Sequence, residues 1–310
     1  MTATPPRPSA AAKLAALALV LNALVWGTSW WPFRWLQAAG LHPLWATTII
    51  FMLASTVIVA ARPRALRQVL TTPALWLLVV ASGTTNAAFN WAVVIGDVVR
   101  VVLLFYLMPL WTVLLARVVL HERFTTAAAL RVALALTGAA IVLWPEAAAD
   151  TSRPSFLSQL PLPRSLADWL GLVGGFSFAF NNVMLRREAN RPEEGRALAM
   201  FVGGAIVAGT LALTLATSAK APWPPAPAAP WLLATAALTV LFLAGNLALQ
   251  FGAARLPANR TSVVMLTEVV FASSSAVAFG GGALTLRLAL GGGLIVASAL
   301  LAALAPAERH

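Results

Sequence analysis

The sequence predicts an all-α integral membrane protein of ten transmembrane helices, built as two inverted five-helix repeats with both termini in the cytoplasm. Three observations predict it. Ten stretches of mostly apolar residues follow one another along the 310-residue chain, each of roughly twenty residues, enough to cross a hydrocarbon core of about 30 Å. With 60% hydrophobic and only 10% charged residues, a soluble globule would lack the polar surface to stay dispersed. The basic residues are also segregated: of 21 Lys and Arg, six (Arg34, Arg100, Arg153, Arg164, Lys220 and Arg287) fall on the side opposite the N-terminus, and fifteen on the N-terminal side. By the positive-inside rule this fixes an N-in, C-in topology, and adding or dropping one span would scramble the asymmetry.

The spans are expected near residues 13–34, 42–61, 74–95, 99–118, 126–145, 166–187, 196–217, 230–251, 260–279 and 284–304. The first follows Arg7 and Lys13 but is too long for a signal-peptide core. It carries Asn22, Trp26 and Trp30 at i, i+4, i+8, one helical face. The third repeats the spacing with Ser82, Asn86 and Asn90. In the fourth, Tyr106 lies three residues before Pro109, which should act as a hinge because it removes a backbone donor and crowds the carbonyl of Phe105. Asp97 and Arg100 are expected to pair on the turn before it, and Glu122 with Arg123 to close its far end. A proline-rich outer segment, 146–167, follows the fifth span. The sixth offers Ser177, Phe178, Asn181 and Asn182, and the seventh ends at a second proline-rich outer loop, 219–229. Phe242, Asn246 and Gln250 share a face of the eighth, and Glu268 lies inside the ninth. The glycine runs at 203–204, 280–282 and 291–293 lack a following Lys-Ser or Lys-Thr, so they allow close helix packing and are not phosphate loops.

The chain repeats itself weakly. Asn90-Trp91-Ala92 leads to Gly96 in the third span, and Asn246-Leu247-Ala248 leads to Gly252 in the eighth, the same Asn-x-Ala-x-x-x-Gly spacing. Phe124-Thr125 and Leu284-Thr285 correspond in the later turns. The predicted organisation is a first repeat over 1–145, a periplasmic linker over 146–165, and a second repeat over 166–310. Five spans is an odd number, so the second repeat must enter from the opposite side, and inverted repeats around a midplane site are a transporter architecture.

Trp26-Gly27-Thr28-Ser29, Tyr106-Leu107-Met108-Pro109, His121-Glu122-Arg123-Phe124-Thr125 and Asp168-Trp169-Leu170-Gly171 resemble the EamA-type branch of the drug/metabolite transporter superfamily. Within it, Tyr-Leu-x-Pro-x-x-Thr at Tyr106 to Thr112 is similar to the aromatic amino acid exporters of the YddG type. The resemblance implies ten helices in two inverted halves and export of amino acids or similar metabolites across a bacterial inner membrane. The second half departs from the pattern: Glu268-Val269 stands where such transporters often have Glu-Pro, and Gly282 where an acid is expected. Without that proline the ninth helix is expected to be the straighter one.

The substrate-binding set expected from helical phase is Asn22, Trp26, Asn86, Asn90, Tyr106, Phe178, Asn181, Asn246, Gln250 and Glu268. Amides at membrane depth need partners, so these faces should point to the bundle interior or to a wet cavity. Interhelical glue is the competing reading for each amide. Amides with aromatic rings suit a zwitterion bearing an apolar or aromatic side chain. An acid at the depth of Glu268 costs about 2.5 to 3.5 kcal/mol to insert. It is read as holding a substrate ammonium, carrying a proton, or bonding to a neighbouring Ser or Thr, and Tyr106 is expected to bond to substrate or Asn86. Most tryptophans, including Trp35, Trp45, Trp76, Trp144, Trp169 and Trp231, fall near span ends and read as headgroup anchors.

Other classes fit less well. The net charge of +11 is spread along loops, which argues against a nucleic-acid partner. There is no cysteine, and His42, His121 and His310 lie at helix ends or the terminus, so no nucleophile has a base at membrane depth. No metal, nucleotide or other cofactor is expected, and the partners are the bilayer and a small-molecule substrate. The reading is a non-enzymatic secondary transporter exporting amino acids. Efflux of cationic drugs or other small metabolites is the alternative.

Overall fold

The computed structural model describes residues 10–119, 125–144, 160, 162–188, 190–253, 255–256 and 264–304. Every regular element among them is helical. The first expected span is two helices, α1 (Ala10–Thr28) and α2 (Trp30–Ala38), interrupted at Ser29, whose hydroxyl donates to the Trp26 carbonyl at 2.8 Å. Gly40, at φ 89°, ends α2 with a Schellman pair: Gly40 N–H donates to Gln37 and Leu41 N–H to Leu36, at 2.9 and 3.0 Å. The next three helices, α3 (Pro43–Ala61), α4 (Pro63–Thr71) and α5 (Pro73–Ile95), each begin on a proline, which forfeits no intrahelical bond in the first turn. Helix α4 was not legible as a span or a helix in the sequence. It is short and amphipathic, burying Ala65 and Val69 and exposing its arginines.

The fourth expected span is also two helices, α6 (Val98–Phe105) and α7 (Met108–Val119), separated by a turn at Tyr106–Leu107. Helix α8 (Thr126–Leu143) starts from Thr125, whose hydroxyl accepts the Ala128 N–H at 3.2 Å. Helix α9 (Leu166–Arg187) starts from a capping box: Ser165 Oγ accepts the Asp168 N–H at 3.0 Å and Asp168 Oδ2 accepts the Ser165 N–H at 3.4 Å. Helices α10 (Glu193–Thr217), α11 (Ala229–Ala253), α12 (Thr267–Phe279) and α13 (Leu286–Leu304) complete the chain. Residues 121–123, expected to close the fourth span, and most of the 146–167 segment lie outside the described residues.

Seven of these segments are long and apolar enough to cross a membrane: Lys13–Ala38, Pro43–Ala61, Pro73–Ile95, Val98–Val119, Thr126–Leu143, Glu193–Thr217 and Ala229–Gly252. That marks a multi-pass membrane protein. Helix α9 has the length but carries Asp168, Asn181 and Asn182, and α12 and α13 are shorter apolar helices. Leucines such as Leu17, Leu70 and Leu233 face outward, as a lipid-facing surface requires.

Helix α5 is central, packing against α9 and α10; α1 packs against α11 and α12, α3 against α10, α7 against α9, and α8 against α13. Glycine sets the closest crossings. A Cβ on Gly83 would collide with the carbonyl of Gly203, and one on Gly203 with that of Val79, so the backbones of α5 and α10 touch. Gly138 and Gly291 meet in the same way where α8 crosses α13. Without a hydrophobic drive between helices in lipid, such contact is what holds them.

Candidate functional site around Glu268

Glu268 lies in the first turn of α12, where the unpaired N–H groups of the helix start favour a carboxylate. From Glu268 to Phe279 the helix rises about 16 Å, which places the acid near the middle of a hydrocarbon core about 30 Å thick. The expected straightness of this span does not hold: residues 264–265 are helical, a turn intervenes at Leu266, and α12 resumes at Thr267. The interruption faces the one between α6 and α7. Tyr106, fully enclosed at 2% exposure, donates from that turn to Glu268 Oε2 at 3.2 Å and lies 3.4 Å from the Met265 carbonyl. Tyr106 therefore bonds to Glu268 and not to Asn86, and the acid's described partner is a phenol and not a Ser or Thr.

Asn22 joins this cluster from α1. Its Nδ2 approaches the Met265 sulfur at 3.6 Å, while its Oδ1 is buried without a partner among the described residues. Gly27, one turn and a half further along α1, has no side chain because a Cβ would come within 2.8 Å of the Glu268 carbonyl. Small residues thus let α1 press against the start of α12. Trp26 stacks on Phe242 of α11 at 4.5 Å between centroids, and Phe242 also meets Phe33 and Phe51. Phe105 meets Tyr106 at 6.1 Å and Phe178 of α9 at 5.4 Å, so the ring that touches the acid is itself backed by further aromatic rings.

The remaining amides are distributed differently. Asn246 and Gln250 bond to each other along α11 at 2.7 Å, both partly exposed. Asn86 folds onto its own helix, donating to the Ser82 carbonyl at 2.8 Å, and Ser82 in turn donates to Met200 of α10. Asn90 points to α3, where Thr47 Oγ1 accepts its Nδ2 at 3.1 Å. Asn181 is 1% exposed with its Oδ1 unpartnered among the described residues. Asn22, Tyr106 and Glu268 are brought together; Asn86 and Asn90 are engaged in helix contacts away from them. Sequence reasoning missed Met265, whose carbonyl and sulfur link Tyr106 to Asn22, because an apolar side chain gives no signal of its backbone role. Among the described residues no three His, Asp or Glu side chains converge to hold a metal ion.

At the end of the bundle assigned to the outside, the expected Asp97–Arg100 pair is replaced by two separate arrangements. Arg100 forks onto Asp168 of α9, at 2.7 and 3.0 Å. Asp97 caps α6, accepting the Arg100 backbone N–H at 2.9 Å, and its other oxygen accepts the Ala283 N–H at 3.2 Å. This explains the missing acid at Gly282, since a Cβ there would come within 2.8 Å of the Asp97 carboxyl carbon. Of the tryptophans expected at span ends, Trp35, Trp76, Trp144 and Trp169 are exposed, whereas Trp231 is buried and donates to the Ala226 carbonyl.

A search of curated protein sequences finds no match. Among solved structures, one crystal structure superposes with a TM-score of 0.56 at 21% identity, covering 93% of this chain and 96% of that one, a likeness that carries the fold. Residues 13–144, the stretch from α1 through α8, match the EamA-like transporter family.

Proposed function

We propose that the chain is a secondary transporter of ten spans in two inverted halves, over 1–145 and 166–310, that exports amino acids across a bacterial inner membrane by alternating access. The family match over 13–144 supports transport of a small molecule. Helix pairing supports the inverted duplication: α1 meets α11 and α12 as α9 meets α5 and the α6–α7 pair, α3 meets α11 as α10 meets α5, and α8 meets α13. The observation that carries the reading is the contact between Tyr106 and Glu268, made where two spans are both interrupted near mid-membrane. Interrupted helices expose backbone groups and polar side chains where transporters hold their substrates.

In this reading Glu268 holds the substrate ammonium, and Asn22, Asn181, Asn246 and Gln250 offer amides to its carboxylate. Trp26, Tyr106 and Phe178 line the apolar or aromatic side chain, while Asn86 and Asn90 join the site only when α5 shifts. Pro109 keeps the α6–α7 junction unable to close into a continuous helix. Glu268 also favours a second reading, efflux of cationic drugs or other small metabolites, because it is a lone acid at this depth among the described residues. Counterflow into proteoliposomes separates the two. Saturable counterflow of phenylalanine, tryptophan or methionine supports the amino acid reading, whereas transport of a quaternary ammonium dye with no amino acid counterflow overturns it.

A further inference from the structure

At the outer end of the bundle a cluster of polar contacts, three of them made by arginines, joins residues 10–144 to residues 162–304. Trp30 Nε1 donates to Ser275 Oγ at 2.9 Å. Arg34 reaches the carbonyls of Val93 and Gly96 at 3.1 and 2.5 Å and that of Gly281 at 3.3 Å, tying α2 to the ends of α5 and α12. Val98 N–H also donates to Gly281, and Arg287 donates to the Trp144 carbonyl at 2.8 Å. Arg100 completes the set, with its third nitrogen on the Val142 carbonyl at 2.8 Å, so that one guanidinium sits where α6, α8 and α9 converge. Among the described residues Arg100–Asp168 is the one ion pair that joins the two stretches. At the opposite end, the described cross-contacts are uncharged or long, such as Ser298 to the Arg131 carbonyl and Gln68 to Glu194 at 3.5 Å.

The chemistry of this cluster suits a latch. Asp168 is 3% exposed at its side chain and Arg100 27%, so the pair is largely dry while shut. A forked Arg–carboxylate contact is geometrically strict, and removing one member strands the other charge in a poorly solvated place. Parting both into water solvates each, so the pair resists small displacement yet can open as a unit. Arg34 and Arg287 add donors to helix C-terminal carbonyls, which strengthens the same closed arrangement.

We propose that Arg100 and Asp168 form the outer gate of the central site, holding the outer ends of α6 and α9 together until substrate is to be released. The proposal rests on the alternating-access reading above. Because the chain has no cysteine, Val94→Cys supplies a single thiol. Val94 is partly buried at the seam of the two largest apolar clusters, beside the carbonyl that Arg34 holds. The rate of its modification by a membrane-impermeant maleimide added outside right-side-out vesicles reads the gate. Asp168→Asn and Arg100→Gln should each speed labelling about tenfold or more, and Arg100→Lys, which keeps the charge and loses the fork, should fall between them and the parent. Asp168→Asn that elutes as a monodisperse protein and labels at the parent rate overturns the proposal. Should that variant not fold, an unchanged rate in Arg100→Lys does so. Labelling needs no substrate, so latch-dependent labelling without amino acid counterflow overturns the substrate reading and leaves the gate standing.

Discussion

Tyr106 donates its hydroxyl to Glu268 across 3.2 Å, and the two residues come from spans that are each interrupted at that level. The pairing gives a mid-membrane acid one neutral donor, which lowers the cost of enclosing it without neutralising it as a cation would. The acid therefore keeps its second oxygen for another ligand.

Tyr106→Phe removes that donor while preserving the ring. The expected result is a protein that folds and still carries out counterflow, with KM for phenylalanine changed by about three- to tenfold, the size of one hydrogen bond. Transport kinetics in proteoliposomes check it.

Trp26→Ala removes one ring of the stack with Phe242, whose centroid is 4.5 Å away. Aromatic contacts of this kind contribute about 0.5 to 1.5 kcal/mol beyond area burial, so KM for phenylalanine should rise about two- to tenfold, and that for alanine less. Parallel counterflow of the two substrates measures the difference.

Gly203→Ala should destabilise the bundle, since the new methyl collides with the Val79 carbonyl. The expected loss is about 1 to 3 kcal/mol, seen as a lower melting temperature in detergent. Gly293→Ala is the matched control: nothing lies within 4 Å of its Cβ position, so stability should hold or rise through helix propensity.

Much of the fold was legible because membrane spans announce themselves by length and apolarity, and α3, α5, α8, α10 and α11 begin and end close to where hydropathy places them. What escaped was finer. Leu266 interrupts its span with no proline or glycine nearby, so that sequence reads as continuous helix, whereas the break at Ser29 lies between Gly27 and Pro32, whose missing N–H cannot bond to the Thr28 carbonyl. Helix α4 is too short and too basic for a hydropathy reading, and its Ala65 and Val69 gain their meaning only by packing against neighbouring spans. The site was legible in part. Glu268 stood out because an acid at that depth needs a reason, whereas helical phase alone could not separate Asn22, which meets Met265, from Asn90, which meets Thr47. A polar stripe says that a face is buried, not which neighbour covers it. Arg100 was assigned to the nearest acid in sequence, and the fold offered it a farther one with forked geometry.

The most direct test of the account is phenylalanine counterflow into proteoliposomes by the parent protein and by Glu268→Gln, which keeps the shape and removes the charge. The account predicts saturable counterflow in the parent and at least a tenfold loss in a variant that elutes as a monodisperse protein, the size expected when a substrate ammonium loses its counter-charge. Counterflow by Glu268→Gln at the parent's rate and KM would contradict it and leave Glu268 as a structural partner of Tyr106.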